Sequence, residues 1–287
     1  MTQFSLLPIE FLLAITFVLG AAVGSFLNVV IFRLPKILNQ TWTADCRNYL
    51  GIKADPEAKI ENKISLLWPS SCCPKCQKKI RPWHNIPVFG YILLRGKCKD
   101  CNEPISARYP IVELVSAVLS LIVIWKFGAT AQGLAALAIT WTLITLTGID
   151  FDEHLLPDSI TLPLLWAGLI ANSFFGLFTD FSTSLLGAVL GYLSLWSVYW
   201  IFKLITGKEG MGFGDFKLLA ALGAWLGWTY LPTIILLSSL IGLAFALLFM
   251  IFSGNKKITP IAFGPYLAIA GWVCLLIGPA AFSLLPI

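Results

Sequence analysis

Chemistry enters this chain most visibly at Gly210-Met211-Gly212-Phe213-Gly214-Asp215-Phe216-Lys217, where a glycine-rich turn delivers one carboxylate to the mouth of an apolar run. An ionisable group at that depth is costly and marks a functional site by default. It needs a partner, and a second acidic cluster, Asp150-Phe151-Asp152-Glu153-His154-Leu155-Leu156-Pro157-Asp158, lies where another apolar run ends. Two carboxylates a few ångströms apart can run aspartic-protease chemistry. The ionised one takes a proton from water, and the protonated one donates to the scissile carbonyl oxygen. Like charges at that range cannot both ionise, so the pair shares a proton and titrates as a pair. Gly212 and Gly214 leave the backbone before Asp215 free to turn sharply and to lie close to an extended peptide. Asp152, Glu153 and Asp158 add negative charge nearby, with Lys217 one turn beyond Gly214. Plainer roles fit the same spacing: Asp215 as a helix cap, Asp158-Ser159 as a cap pair, Asp152 and Glu153 as solvated loop charges.

A second constellation is built from sulfur. Cys73-Pro74-Lys75-Cys76 and Cys98-Lys99-Asp100-Cys101 are two CxxC knuckles with 21 residues between them. Four thiolates so spaced can close a tetrahedron around Zn²⁺, and four sulfurs leave no open position for a catalytic water, so the expected metal is structural. Lys75, Lys97 and Lys99 offset the charge of such a site. Cys72 leaves the register open, since it can stand in for Cys73; the knuckle completed by Pro74 favours Cys73. His84 and His154, the two histidines, lack ligand spacing. Metal rather than disulfide use points to a reducing compartment.

The elements that position these groups are membrane helices. Of 287 residues, 57% are hydrophobic and only 12% charged, with a mean hydropathy of +0.82; a soluble domain carries about 25% charged residues. The expected fold is an all-α polytopic membrane protein of about eight spans with a small zinc-stapled cytoplasmic domain. The first span runs from about residue 9 to 32, and others lie near 111–125, 133–149, 159–178, 184–205, 215–229, 231–252 and 263–284. The 215–229 run is short for a crossing of about 20 residues. Gly176, Gly207, Pro232, Gly254 and Gly264-Pro265 punctuate the runs. Within the first span Gly20 reads as an ordinary packing residue, and Asn28 as an amide that wants a partner. Residues 37–64 read as loop with one short helix. The domains are therefore 1–32, a first transmembrane helix; 33–110, a Cys₄ domain; and 111–287, a seven-helix membrane domain carrying both aspartates.

Fourteen of the 20 Lys and Arg fall between Arg33 and Arg108, and five more at Lys203, Lys208, Lys217, Lys256 and Lys257. With the N-terminus outside, 19 of the 20 face the cytoplasm and Lys126 alone lies outside; the positive-inside rule selects that orientation. Both acidic clusters and the cysteines then sit on the cytoplasmic side. Basic charge distributed this way reflects topology, so nucleic acid is not an expected partner. No Lys or Arg precedes Arg33, which favours a permanent first span over a cleaved signal.

Five stretches together resemble the type IV prepilin peptidases, the bifunctional leader peptidase and N-methyltransferase family. They are Gly24-Ser25-Phe26-Leu27-Asn28 through Arg33-Leu34-Pro35; the knuckles with Asn85-Ile86-Pro87, Leu94-Arg95-Gly96-Lys97 and Ile105 to Leu114; Ile149-Asp150-Phe151-Asp152 with Leu155-Leu156-Pro157-Asp158; Gly212 to Ala220; and Phe263-Gly264-Pro265-Tyr266-Leu267-Ala268. The resemblance implies a GxGD aspartyl endopeptidase in a bacterial inner membrane, with Asp150 and Asp215 catalytic. It implies cleavage of a short basic leader from prepilins or type II secretion pseudopilins after a glycine. It further implies methylation of the new N-terminal residue from S-adenosylmethionine, both activities being associated with the four-cysteine loop. Cys72 beside the tetrad and Ala262 before Phe263 depart from the pattern. The chain has no Rossmann-type glycine fingerprint for the methyl donor; Asn28 and Glu113 are candidates on the cytoplasmic face of 65–113. Two other readings stay open: a peptidase without methyltransferase activity, and a non-enzymatic transport or assembly protein whose intramembrane carboxylates bind a cation or a partner.

Overall fold

The structure is a computed structural model that describes residues 8–52, 64–253 and 262–278, in which helices dominate and no strand occurs. Gly254, Lys256 and Lys257 lie outside the described residues, as does the end of the 263–284 run. The chain divides into two compact units, Ser5–Trp125 and Lys126–Ile287.

The first unit is built on α1 (Ile9–Tyr49), α2 (Phe89–Leu93) and α3 (Arg108–Phe127), the last running two residues past the division. α1 does not stop near residue 32 but continues through Pro35 for 41 residues, about 60 Å and twice the apolar core of a bilayer. The polarity after Arg33 ends the span and not the helix, because no glycine and no further proline interrupts Lys36–Tyr49. Residues 41–50 are all exposed. Gly20 and Gly24 are one turn apart on the buried face, and α3 lies directly over them. A Cβ on Gly20 would stand 2.8 Å from Ser120 Oγ, and one on Gly24 2.7 Å from Glu113 Cα. Gly20 therefore sets a close helix crossing of the small-xxx-small kind. Ser116 Oγ donates to Gly20 O at 2.7 Å, and the Asn28 amide finds its partner in Tyr109 O at 3.0 Å. The Arg33 guanidinium donates to Ser65 O at 3.0 Å and Pro69 O at 2.7 Å, clamping the start of the cysteine region to α1.

The second unit contains α4 (Ala131–Glu153), α5 (Asp158–Phe175), α6 (Phe181–Thr206), α7 (Phe213–Leu226), α8 (Leu231–Ser253) and α9 (Gly264–Ile277). Eight helices thus answer to the eight apolar runs, and among the described residues five are long and apolar enough to cross a membrane: α1, α3, α4, α6 and α8 with the 3₁₀ turn before it. Gly176 and Gly207 end α5 and α6 in left-handed caps. Asp158 is the first residue of α5, after Pro157 in the cap position, so the expected Asp158-Ser159 cap is not made.

α7 is the core. It is apolar on every side, and apart from Lys217 every residue from Asp215 to Leu226 is buried. At 14 residues it is about 21 Å long, too short to span. Neighbours approach it through small residues. A Cβ on Gly187 of α6 would lie 2.2 Å from Gly223 O, and one on Gly223 would lie 2.2 Å from Gly187 O. Gly168 of α5 receives the Trp225 ring, and Gly271 of α9 receives Leu222. Asn172 Nδ2 bonds Ala224 O at 2.9 Å and Trp225 O at 3.0 Å, and Ser184 Oγ also bonds Ala224 O, which satisfies carbonyls that the helix end leaves open.

Substituting Gly223→Ala drives a methyl group into the α6 backbone. The expected cost is at least that of overpacking, about 1–3 kcal/mol, read as a lowered thermal midpoint of the purified protein in detergent. An unchanged midpoint contradicts the close crossing.

Candidate active site and metal centre

Asp150 and Asp215 come from different helices and meet at one end of the second unit. Asp150 is in the last turn of α4 and Asp215 in the first turn of α7, with 6% and 7% of their surface exposed. They lie in electrostatic contact with one another. Asp215 is the third residue of α7, not its cap; Gly212 holds the cap position and its N–H faces the Asp215 carboxylate. This is the acidic half of a capping box, which places the side chain back over the start of its own helix. Asp150 meets the start of α9, where the Gly264 N–H faces its carboxylate. No protein donor among the described residues completes a hydrogen bond to Asp150 Oδ2. A buried oxygen of this kind calls for a water or a substrate group.

Two helix N-termini therefore aim free amides at the two carboxylates, an arrangement that favours negative charge. α4 is stopped just beyond Asp150 by His154 in a left-handed conformation, with φ of 50° and its N–H donating to Asp150 O at 3.0 Å. Trp272 Nε1 donates to Thr140 Oγ1 at 3.1 Å and fixes α9 against α4.

Gly214 owes its place to packing, while neither torsion nor packing demands glycine at 212. Gly212 has φ −82°, ordinary for any residue, and a Cβ there would reach nothing closer than Asp215 Oδ2 at 3.8 Å. On Gly214 a Cβ would stand 2.7 Å from Leu156 Cβ. Lys217 and Asp158 are brought together, Nζ lying 2.6 Å and 2.7 Å from the two carboxylate oxygens, so α5 and α7 are tied beside the aspartates. Asp152 and Glu153 are exposed at the end of α4. Sequence reasoning passed over Gly264 and Leu156 as site residues. Their signal was the Phe263-Gly264-Pro265 and Leu156-Pro157-Asp158 runs that flank the acidic clusters. A Cβ on Gly264 would fall 2.6 Å from Asp150 Oδ2, so any other residue there would have to displace that carboxylate.

In the first unit the sulfurs of Cys73, Cys76, Cys98 and Cys101 all lie within 4.8 Å of one another. Each knuckle is folded by the same two bonds: Cys73 N to Lys78 O at 3.0 Å with Gln77 N to Cys73 O at 2.9 Å, and Cys98 N to Glu103 O at 2.8 Å with Asn102 N to Cys98 O at 2.9 Å. Cys73 Sγ and Cys101 Sγ are 3.7 Å apart; a tetrahedron with metal–sulfur bonds of about 2.3 Å has edges of about 3.8 Å. The four residues fit a metal ion. Cys72 stands apart, its Sγ 3.7 Å from Gln77 Oε1. The N–H groups of Cys76 and then Lys75 pull the Cys73 thiol down to about 7, the environment of a ready ligand. Lys75 pairs with Glu103, and Lys78 Nζ with Asp100 Oδ1 at 3.1 Å, linking one knuckle to the other. Elemental analysis of the purified chain is expected to find one metal ion per chain, lost in a Cys98→Ser, Cys101→Ser double variant. A metal-free wild type contradicts the centre.

Comparison with known proteins now bears on both sites. Residues 18–127 match the family described as the bacterial peptidase A24 N-terminal domain, and residues 137–247 match the type IV leader peptidase family. Three curated relatives carry the name prepilin leader peptidase/N-methyltransferase. The one from Pseudomonas aeruginosa is 54% identical over 94% of this chain and 92% of its own length. Those from Aeromonas hydrophila and Neisseria gonorrhoeae are 51% and 49% identical, over 92% and 89% of this chain and 90% and 87% of theirs. No solved structure matches. About half the residues agree over nearly the whole sequence, and the chain belongs to the type IV leader peptidase family.

Proposed function

We propose that this protein is a membrane aspartyl endopeptidase that removes the basic leader of type IV prepilins or pseudopilins after a glycine, with Asp150 and Asp215 as its catalytic pair, and that it methylates the new N-terminal residue. The observation that carries the peptidase reading is the pairing of two buried carboxylates from separate helices, with Asp150 Oδ2 lacking a protein donor. The relatives' name supplies the substrate class.

The pair works with one shared proton. Its ionised member takes a proton from water as the oxygen attacks the scissile carbonyl, and its protonated member gives a proton to the carbonyl oxygen. The tetrahedral intermediate then collapses, the peptide C–N bond breaks, and the leaving amine takes up a proton from the pair. The amides of Gly212 and Gly264 hold the carboxylates in place without supplying protons to the reaction.

The membrane setting suits the substrate. Five of the described helices are fit to cross a bilayer, and the ends bearing Asp150, Asp158, Asp215 and Gly264 come together. The distribution of Lys and Arg supports an orientation with that end in the cytoplasm and the N-terminus outside, and the proposed membrane is the bacterial inner membrane. A prepilin inserted with its basic leader inside presents the scissile bond at this level. Residues 33–110 form the metal-bearing cytoplasmic domain and 111–287 the protease domain.

Zn²⁺ is the proposed ion of the Cys73, Cys76, Cys98 and Cys101 centre, where it holds the two knuckles together. S-adenosylmethionine is the proposed methyl donor. Of the candidates for its site, Asn28 donates from Nδ2 to Tyr109 O at 3.0 Å, and Glu113 accepts the Val88 N–H at Oε2 at 2.7 Å, so each already has a partner within its own unit.

Mass spectrometry of a prepilin incubated with the purified protein and S-adenosylmethionine tests both activities. Loss of the leader and a methyl mass on the new N-terminus are expected from the wild type, and no cleavage from Asp150→Ala or Asp215→Ala. Cleavage without methylation reduces the protein to a peptidase; no cleavage of several prepilins by a folded wild type favours the transport or assembly reading. Cleavage rate against pH is expected to be bell-shaped, one limb from each protonation step of the pair. A rate that stays flat from acidic to neutral pH contradicts a shared proton.

A further inference from the structure

We infer that Leu156 is a positioning residue that sets the spacing of the two aspartates, its side chain standing as a wedge between the helix that carries Asp215 and the helix that contacts Asp150. This rests on the proposed peptidase reading and deepens it.

The geometry is specific. Leu156 lies in the short connection between α4 and α5, two residues past the His154 stop, and is only 8% exposed. Its Cβ fills the space that a side chain on Gly214 would take, 2.7 Å from the position of that Cβ. Gly214 immediately precedes Asp215. The other end of the side chain reaches α9: Leu156 Cδ1 is 3.0 Å from where a Cβ on Gly264 would stand, and Asp150 Oδ2 is 2.6 Å from that same point. One leucine thus touches the glycine beside each aspartate. Pro157, also buried, stiffens the connection, and the Asp158–Lys217 pair draws α5 toward α7 on its far side. The ion pair ties α5 to α7; the leucine fills the space between the α7 and α9 starts.

Such a wedge acts on rate through geometry, because catalysis by a carboxylate pair depends on both oxygens reaching one water and one carbonyl. The readouts are therefore kcat, KM and the distance between the acid and alkaline limbs of the pH profile, which reports the coupling of the pair. The other titratable groups at this end include Asp152 and Glu153 on α4 and His154 just after it, Asp158 on α5, Tyr199 and Lys203 on α6, Lys217 on α7 and Tyr266 on α9; all remain in the variants.

The experiment measures prepilin cleavage by wild type, Leu156→Ala, Leu156→Val and Leu156→Met in the full chain, with Asp215→Ala as the inactive reference. Removing the wedge in Leu156→Ala is expected to lower kcat about 100-fold with KM little changed, and to widen the gap between the limbs as the carboxylates close in. Leu156→Met, which keeps the reach of the side chain, restores both. If Leu156→Ala does not fold, Leu156→Val is judged by the same criteria. Wild-type kcat and an unchanged gap in the shortened variants overturn the inference. So does a loss that tracks thermal stability alone, with the gap unmoved and methionine no better than alanine. Wild-type cleavage, absent in Asp215→Ala, upholds the peptidase reading separately from either result.

Discussion

The arrangement depends on burying a helix that is too short to reach water or headgroups at both ends. Every helix leaves four amides and four carbonyls without intrahelical partners, and in an apolar surround those groups must be bonded internally. α7 meets this demand with side chains from its neighbours at one end and with its own carboxylate at the other. Asn172 and Ser184 take the carbonyls of Ala224 and Trp225, and Asp215 turns back over Gly212. The carboxylate assigned to catalysis thereby also completes a helix terminus. This explains why its position is so closely set by backbone.

Packing around that helix follows from the same constraint. Backbone-to-backbone approach needs glycine on both partners, and Gly187 against Gly223 supplies it. The aromatic rings of Tyr199, Phe213 and Phe216 cluster beside the α7 start, with centroids 5.3–5.7 Å apart, so the turn before Asp215 is held by large apolar surfaces rather than by loop hydrogen bonds. In the other unit the logic is different. The cysteine region is too small to fold on a core, and paired knuckles with a metal take the place of one.

Much of this could be read from residue order. The two CxxC pairs pointed to four ligands, with Cys72 left as an alternative to Cys73, and the sulfurs of Cys73, Cys76, Cys98 and Cys101 are the ones that gather. Asp150 and Asp215 stood out because each interrupts apolar sequence. What could not be read was tertiary. Gly214 and Gly264 look like turn residues in one dimension, while their real constraint is a neighbour distant in sequence: Leu156 for Gly214, Asp150 for Gly264. Likewise Lys217 and Asp158 are 59 residues apart, and nothing local joins them. The far end of α1 was mistaken for loop because polarity was taken to end a helix as it ends a span. The count of crossing helices was blurred by α5, α7 and α9, apolar runs whose described helices are short or carry a polar end.

The length of α1 has a mechanical consequence. Arg33, which grips the carbonyls of Ser65 and Pro69, precedes Pro35 in the helix. Proline removes the amide that would tie the next turn to residue 31, so Pro35 is the most compliant point along the rod. Arg33 lies within the turn whose hydrogen bond the proline removes, so the cysteine region is mounted at the joint itself. Bending there swings the exposed turns toward Tyr49 as a lever arm whose movement is felt at the Arg33 mount.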